Sequence, residues 1–274
     1  MKNTTKKLFN KVASLALAAM MVLSVFCVST PTEVSAAGLS FKSTGKSSVT
    51  ITDEQCTTIT EELTWIKFKA KNDGYLKITA TNASSVASYT AGAWQLYDKN
   101  KKNSVSPAHK YNTNYTDSYF YTDVYGVKKG VTYYLAVNSY AGVKIKASFT
   151  KVADKSGSTK AKALSVKKGK SATGLIRVGD KNSDWYKFTL TKKQLLTITV
   201  TPYLNDAITV KIVGPSISGS ATITNDYDYY GKKYPFRIVN KYTQQPIKAS
   251  TGTYYIQVKP AKKTTSGYYK ISWK

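Results

Sequence analysis

The sequence has few of the residues on which catalysis and metal binding most often depend. Its 274 residues include one histidine, two cysteines and three methionines. Two cysteines exclude both a disulfide scaffold and a cysteine-rich zinc module. One histidine leaves little room for histidine-based metal or acid–base chemistry. Hydrophobic residues still make up 42% of the chain, which is enough apolar material for a core.

Motifs of known enzymes are also missing. The sequence contains no Gly-x-Ser-x-Gly, no His-Glu-x-x-His and no P-loop. His109 lies in a turn-like segment, and the acids nearest to it in sequence, Asp98 and Asp117, complete no recognised catalytic motif. We therefore predict no catalytic residue and do not expect the protein to be an enzyme.

Acidic residues and arginine are scarce, whereas lysine is abundant. The chain has 15 Asp and Glu against 41 Lys and Arg, and only Arg177 and Arg237 are arginine. The lack of arginine and of a recognised binding module argues against specific nucleic-acid recognition. Lysines such as Lys67 and Lys187 alternate with apolar residues. This pattern indicates either a coat that keeps β-sheets soluble or a surface that attracts polyanions.

Residues 1–36 have the features of a secretory signal peptide. Four lysines precede a mostly apolar run from 12 to 28, and Val34-Ser35-Ala36 has small residues where signal peptidase needs them. A retained anchor and a lipoprotein at Cys27 are the less favoured alternatives. Cleavage removes four Lys and one Glu, so the net charge falls from +26 to +23. We expect a secreted, extracellular protein without a transmembrane span, either free or associated with the cell wall.

The sequence repeats itself at a spacing of about 120 residues. Trp65-Ile66-Lys67-Phe68 returns as Trp185-Tyr186-Lys187-Phe188, and residues 131–137 return as 252–258. Two copies of this size fit two ordinary domains. We predict a first domain at 38–150, a linker at 151–160 and a second domain at 161–274.

Both copies show the period-two pattern of half-buried strands. Ile66 and Phe68 alternate with Trp65 and Lys67, and short apolar runs are separated by turn clusters such as 71–74. No stretch of useful length after the signal has a helical period. We predict an all-β protein made of two tandem antiparallel β-sandwiches that follow an N-terminal signal helix.

The second copy resembles a known family of exported domains. The segments that carry the resemblance are 174–176, 184–190, 195–200, 252–258 and 266–271. Together they look like a bacterial pre-peptidase C-terminal domain, a family related to the collagen-binding domains of clostridial collagenases. The first copy matches less well, with Thr64 where the second has Asp184. The resemblance implies jelly-roll sandwiches and a role appended to secreted enzymes. Relatives of this sandwich can also hold calcium near the start of the 184–190 strand.

One segment suggests a calcium site. Asp180, Asn182 and Asp184 have the spacing that opens an EF-hand loop. However, Trp185 stands where that loop needs glycine, and Thr191 stands where it needs glutamate, so an EF-hand is excluded. Two interpretations remain. The three oxygen-bearing residues form a looser structural calcium site, or they are only a polar turn that begins a strand. No other cofactor is expected.

The sequence has 22 tyrosines, and nine of them crowd into matching regions of the two copies, 111–125 and 227–234. The candidate ligand-binding residues are Tyr115, Tyr119, Tyr121 and Tyr125, then Tyr227, Tyr229 and Tyr230, together with Trp65 and Trp185. On a strand, Tyr119, Tyr121 and Tyr125 would share one face with Asp123 and leave a tyrosine row outside. Such rows stack on sugars or peptides. The alternative is that tyrosine serves only as a good strand former.

These features predict a secreted, non-catalytic binding protein. Its expected partner is a polysaccharide, an anionic cell-wall polymer or an extracellular protein. The tyrosines would supply contacts, and the lysine coat would supply general attraction. The alternative is an accessory or chaperone-like module for a separately encoded secreted enzyme.

Overall fold

The computed structural model describes residues 40–41, 45–51, 64–82, 89–114, 121–139, 143–215, 217–224 and 231–274. Within these ranges every regular element is a β-strand, so the predicted all-β class is confirmed. The predicted signal peptide and Cys56 lie outside the described residues. The same ranges contain no helix long and apolar enough to cross a membrane.

The described residues of the N-terminal half form nine strands. They are β1 (Ser40–Phe41), β2 (Gly45–Ile51), β3 (Thr64–Lys69), β4 (Gly74–Asn82), β5 (Tyr89–Tyr97), β6 (His109–Asn114), β7 (Tyr121–Val127), β8 (Thr132–Ser139) and β9 (Val143–Lys151). One sheet has the order β1-β3-β8-β5-β6 and the other β2-β9-β4-β7. Residues of both sheets, including Ile66, Ile78 and Trp94, form one buried core.

In the C-terminal half, the part of the chain that the structure describes forms eleven strands. They are β10 (Leu164–Ser165), β11 (Ser171–Ile176), β12 (Asp184–Leu190), β13 (Gln194–Leu195), β14 (Thr197–Leu204), β15 (Ile208–Gly214), β16 (Ile217–Ile223), β17 (Tyr234–Arg237), β18 (Lys248–Ala249), β19 (Gly252–Pro260) and β20 (Gly267–Trp273). The two main sheets have the orders β10-β12-β19-β15-β16 and β11-β20-β14-β17, and β13 pairs with β18. Tyr186, Phe188 and Ile256 belong to their common core.

The two halves have the same strand order, which agrees with the sequence repeat. β3, β8 and β5 of the first half correspond to β12, β19 and β15 of the second. The short edge strands differ from the predicted antiparallel arrangement, because β1 pairs with β3 and β10 with β12 in parallel. The domain boundaries stay a prediction.

The period-two pattern places apolar and charged side chains as expected. Ile66 and Phe68 are buried, whereas Lys67 and Lys69 between them and after them are exposed. Lys270 is likewise exposed beside buried Ile271. Apolar side chains therefore face the cores, and many strand lysines face solvent.

The two halves touch each other through β-sheet surfaces and loops. The Tyr75 ring stacks on Tyr268, with ring centroids 4.1 Å apart. The Arg177 guanidinium lies 3.1 Å from the Asp73 carboxylate. The backbone N–H of Val178 donates to the carbonyl oxygen of Gly126 at 2.8 Å. A Cβ at Gly126 would overlap the Ile176 carbonyl, so glycine permits this close approach.

The predicted linker is bound to both halves. Val152 N–H donates to the Asp73 carbonyl of the first half at 3.1 Å. Gly157 and Trp185 exchange two backbone hydrogen bonds in the second half, at 3.1 and 2.8 Å. Hydrogen bonds at Val152 and Gly157 therefore attach the segment 151–160 to both halves. Its first residue, Lys151, is the last residue of β9.

Candidate ligand-binding surface

An aromatic cluster lies on the outer face of the first five-stranded sheet. Because Ile66, Leu96 and Leu135 point into the core, their neighbours Trp65, Tyr97 and Tyr134 point outward. Tyr97 and Tyr134 lie directly opposite each other on β5 and β8. The outer aromatic cluster is defined here as Trp65, Tyr97, Tyr134 and Lys101.

The rings in this cluster meet edge to face. The Trp65 centroid is 5.2 Å from that of Tyr97 at 76° and 6.4 Å from that of Tyr134 at 83°. Such geometry is favourable beyond the burial of ring area. Tyr97 is 5% exposed, and its burial raises the pKa of the phenol. Trp65 and Tyr134 are half-buried, so they are the rings that a ligand can reach.

Lys101 completes the cluster by placing its ammonium group over two rings. Its Nζ atom is 5.2 Å from the Trp65 ring centroid and 5.0 Å from that of Tyr134. The turn after β5 brings it there, because Lys101 has a φ of 58° and Asp98 Oδ1 accepts the Asn100 and Lys102 N–H groups at 3.0 and 3.2 Å. These contacts are cation–π interactions.

The indole N–H of Trp65 is buried and has no hydrogen-bond partner among the described residues. A buried indole N–H usually donates to an acceptor, and the absence of that hydrogen bond costs about 1–3 kcal/mol. Because this atom is enclosed, the donor is not available to a ligand at the surface. The cluster therefore offers aromatic surface and positive charge.

The second half repeats part of this arrangement. Trp185 and Tyr255 hold the positions of Trp65 and Tyr134 in the repeat, and both are half-buried. The Nζ atom of Lys160 lies 4.7 Å from the Tyr255 ring centroid. Val213 lies opposite Tyr255, where the first half has a tyrosine, so the second surface has one ring fewer.

The predicted tyrosine row is only partly described. Tyr115, Tyr119, Tyr227, Tyr229 and Tyr230 lie outside the described residues. The backbone of Tyr121 belongs to β7, and its side chain lies outside the description.

The prediction that Tyr125 is exposed is wrong. Tyr125 is fully buried, and Asp123 on the same face is 5% exposed. β7 has one face against the core of its own half, while Gly126 on its other face touches Ile176 of the second half. The Trp94 indole N–H donates to the Tyr125 hydroxyl at 2.9 Å. Burial, reinforced by the charge of Asp123, raises the pKa of Tyr125 well above its usual range.

His109 has the carboxylate partner that its sequence neighbours did not supply. Its Nδ1 atom lies 3.4 Å from Asp123 Oδ2, and its ring stacks on Trp94 at 4.3 Å. His109 is 7% exposed. Nearby, the Ser106 hydroxyl donates to the Pro107 carbonyl and accepts the Leu96 N–H, both at 2.9 Å. These groups are therefore buried together at the edge of the first half.

The residues of the predicted calcium site have separate partners. The carboxylate of Asp180 accepts a hydrogen bond from the Arg177 guanidinium at 2.9 Å, and Asn182 is exposed. Asp184 accepts hydrogen bonds from Ser156 at 2.8 Å and Tyr269 at 2.5 Å. Among the described residues, no group of three or more His, Cys, Asp or Glu side chains is placed to hold a metal ion.

Comparison with known proteins reveals only distant similarity. No family model matches the chain, and no curated protein matches it. One similar structure is the pre-peptidase C-terminal domain of a Bacillus anthracis collagenase. It is 18% identical, covers 40% of this chain and 93% of its own, and has a TM-score of 0.30.

Two further structures are similar over more of the chain. The N-terminal tandem of two CBM22 domains from Paenibacillus barcinonensis is 10% identical, covering 77% of this chain and 82% of its own, with a TM-score of 0.24. A glycosylasparaginase from Flavobacterium meningosepticum is 7% identical, covering 78% and 95%, with a TM-score of 0.26. TM-scores of this size do not establish a shared fold or function.

Proposed function

We propose that the protein is a secreted, non-catalytic binding protein that adheres to an anionic cell-wall polysaccharide through its outer aromatic cluster. The observation that carries this proposal is the position of Lys101, whose ammonium group lies within about 5 Å of both the Trp65 and Tyr134 ring centroids. Aromatic rings stack on sugar rings, and the ammonium attracts carboxylate or phosphate groups of the same polymer.

The surroundings of the cluster favour an anionic ligand over a neutral one. Lys67 lies directly opposite Tyr134 on β3 and is exposed. Lys99 and Lys102, which flank Lys101 in the turn, are exposed as well. The cluster is therefore part of a positively charged face of the sheet. The alternative accessory role has no comparable group of side chains to support it.

The proposal includes two tandem jelly-roll domains of the pre-peptidase C-terminal kind, with the boundaries predicted from sequence. The common strand order of the two halves supports this arrangement. Trp185, Tyr255 and Lys160 then provide a second, smaller surface for the same polymer. Two surfaces on one chain raise the overall affinity for a polymer that reaches both.

Sedimentation with purified cell walls and with insoluble acidic and neutral polysaccharides, at several salt concentrations, tests the proposal. We expect Tyr134→Ala and Lys101→Gln to weaken binding to the acidic polymer by roughly tenfold and threefold. Tyr242→Ala is the matched control, because Tyr242 is an exposed tyrosine outside the cluster. Lys211→Gln, also exposed, is the control for charge. Equal effects of cluster and control variants would contradict the proposal.

A further inference from the structure

An apolar cleft opens between the two sheets of the C-terminal half. It has a volume of about 650 Å³ and lies between the edge strands β16 and β17. Ile198 and Val210 form its base, and half-buried Ile217, Phe236 and Ile238 form its walls. Pockets for small molecules typically measure about 300–1,000 Å³ and are lined mainly by apolar side chains.

The same position in the N-terminal half is filled. Trp94 lies opposite Val137 in the strand ladder, and Val210 lies opposite Val258. Val137 and Val258 hold the same place in the sequence repeat, so Val210 corresponds to Trp94. One half therefore has an indole where the other has an isopropyl group.

The partner strand shows a second loss of volume. His109 lies opposite Trp94, and Ala221 lies opposite Val210, so Ala221 corresponds to His109. The Trp94 and His109 rings stack 4.3 Å apart and close the edge of the first half. Replacing both rings by small side chains leaves the edge of the second half open.

The opposite wall of the cleft differs in polarity. Asp123 and Phe236 lie opposite equivalent isoleucines of β4 and β14. Tyr125 follows Asp123 by two residues on β7, and Ile238 follows Phe236 by two residues directly after the end of β17. The first half therefore has a hydrogen-bonded plug, whereas the second half has only apolar side chains at the same four positions. A group buried in this cleft against these four positions must itself be apolar, because none of the four side chains offers it a hydrogen bond.

Side-chain exposure confirms that the cleft is open to solvent. His109 is 7% exposed, whereas Ala221 at the corresponding position is exposed. Gly219 lies opposite buried Ile212 and so faces the cleft, and a Cβ added there would have no neighbour within 4 Å. A substituent at Gly219 therefore projects into empty space.

The mouth of the cleft is positively charged. Arg237 and Lys241 are exposed lining residues, and among the residues that the structure describes the lining contains no aspartate or glutamate. The hairpin that carries Lys241 also exposes Tyr242, Val239 and Ile247. An apolar interior below a cationic rim is complementary to a molecule with an apolar tail and an anionic head.

We propose that this cleft binds a single-chain anionic amphiphile of the fatty-acid class. The hydrocarbon chain lies between the sheets against Ile198, Val210 and Phe236, in the space that Trp94 and His109 fill in the first half. The carboxylate lies at the rim, where Arg237 and Lys241 attract it. The site is separate from the outer aromatic cluster and does not depend on the proposed polysaccharide binding.

Calorimetric titration of the purified protein with saturated fatty acids of increasing length, kept below the concentration at which they form micelles, tests this proposal. Each added CH₂ buried in the cleft should raise affinity about fourfold, until the chain fills the available space. Fatty alcohols of equal length should bind roughly tenfold more weakly. Absence of binding by every chain length, or equal binding of acids and alcohols, would overturn the proposal.

Variants locate the site. Val210→Trp with Ala221→His transfers the plug of the first half and should abolish binding. Gly219→Phe fills the cleft from its open side and should weaken binding more than about tenfold. If the double variant does not fold, the affinity of this single variant tests whether the cleft is the binding site. Lys211→Ala is the matched control, because Lys211 lies beside Val210 on β15 but is exposed on the opposite face of the sheet. Unchanged affinity in the Gly219 variant would refute the assignment.

A vesicle experiment separates the free amphiphile from a membrane surface as its source. Co-sedimentation with anionic and zwitterionic vesicles should be unaffected by Gly219→Phe if the cleft holds free amphiphiles. Binding to anionic vesicles without binding to monomeric fatty acid would overturn the proposal in favour of a surface interaction. Arg237→Gln with Lys241→Gln should lower affinity for acids by roughly tenfold while leaving alcohols unchanged.

Discussion

The stability of the protein should depend on the protonation of one carboxyl group, that of Asp184. This group lies at the start of β12 and accepts hydrogen bonds from Ser156 and Tyr269. The Tyr269 hydroxyl also lies 3.0 Å from that of Tyr186, so the carboxyl terminates a buried chain of polar groups. Burial, with the negative charge of Asp154 adding to it, raises the pKa of Asp184 from 3.8 to about 6.

The direction of the pH dependence follows from this raised pKa. In the unfolded chain the group ionises near pH 4, whereas in the folded protein it retains its proton until about pH 6. The folded state therefore binds more protons between these values, and stability is lost as the pH rises through this window. A rise from 3.8 to about 6, at about 1.4 kcal/mol for each tenfold change, corresponds to a loss of about 3 kcal/mol.

Urea unfolding of the wild type and of Asp184→Asn at pH 4 and pH 8 measures this effect. The amide cannot ionise, so the variant should be about 2–3 kcal/mol more stable than the wild type at pH 8 and similar to it at pH 4. Asp98→Asn is a control of opposite sign: despite slight burial, hydrogen bonds from Asn103 and its neighbours lower the pKa of Asp98. A destabilised Asp184→Asn at pH 8, or a difference independent of pH, would refute this reasoning.

Three further substitutions test contacts within and between the halves by urea unfolding. Gly126→Ala should lower the free energy of unfolding by about 1–3 kcal/mol, because its Cβ would overlap a backbone carbonyl of the second half. Gly219→Ala is the control and should be nearly neutral, because its Cβ would have no neighbour within 4 Å. Equal effects of the two substitutions would contradict the packing at Gly126. Trp94→Phe removes the indole N–H that donates to a buried hydroxyl and should cost about 1–3 kcal/mol, so a neutral result would exclude this hydrogen bond. Tyr268→Ala removes a ring stacked between two others and should cost about 2 kcal/mol, whereas no loss would show that the stack does not contribute.

The architecture could be predicted from sequence wherever burial alone decides the position of a side chain. Ile66 and Phe68 point inward and Lys67 outward, because a strand with one face in the core repeats every two residues. The repeat of Trp65 at Trp185 likewise predicted equivalent strands, and β3 and β12 occupy equivalent positions in their sheets.

The contacts that connect distant parts of the chain could not be predicted in this way. Tyr125 points into the core of its own half, whereas Gly126 on the opposite face of β7 is covered by the second half. Because both faces of β7 are buried, the alternation in the sequence did not show which face belongs to the core. The pairing of His109 with Asp123 depends on how the edges of two different sheets meet, which no local pattern records. Long-range packing decided both outcomes.

The sequence predicted only part of the outer aromatic cluster. Trp65 was a candidate because its strand pattern placed it opposite the core. Tyr134 carried a signal in the repeated pair of adjacent tyrosines, of which one faces inward and one outward. Lys101 had no signal, because its position over the rings depends on a turn with positive φ that brings the side chain back over the sheet.

The stacking of Tyr75, Tyr268 and Tyr203 has a consequence for how long ligands are selected. Together with the fastened segment 151–160, it sets the distance and angle between the two halves. Under the proposed binding function, a polymer whose repeating groups match the spacing of the two surfaces engages both, without an entropic loss for ordering the two halves. A polymer of similar chemistry but different period engages only one, so selection by length of repeat arises from the interface rather than from either surface.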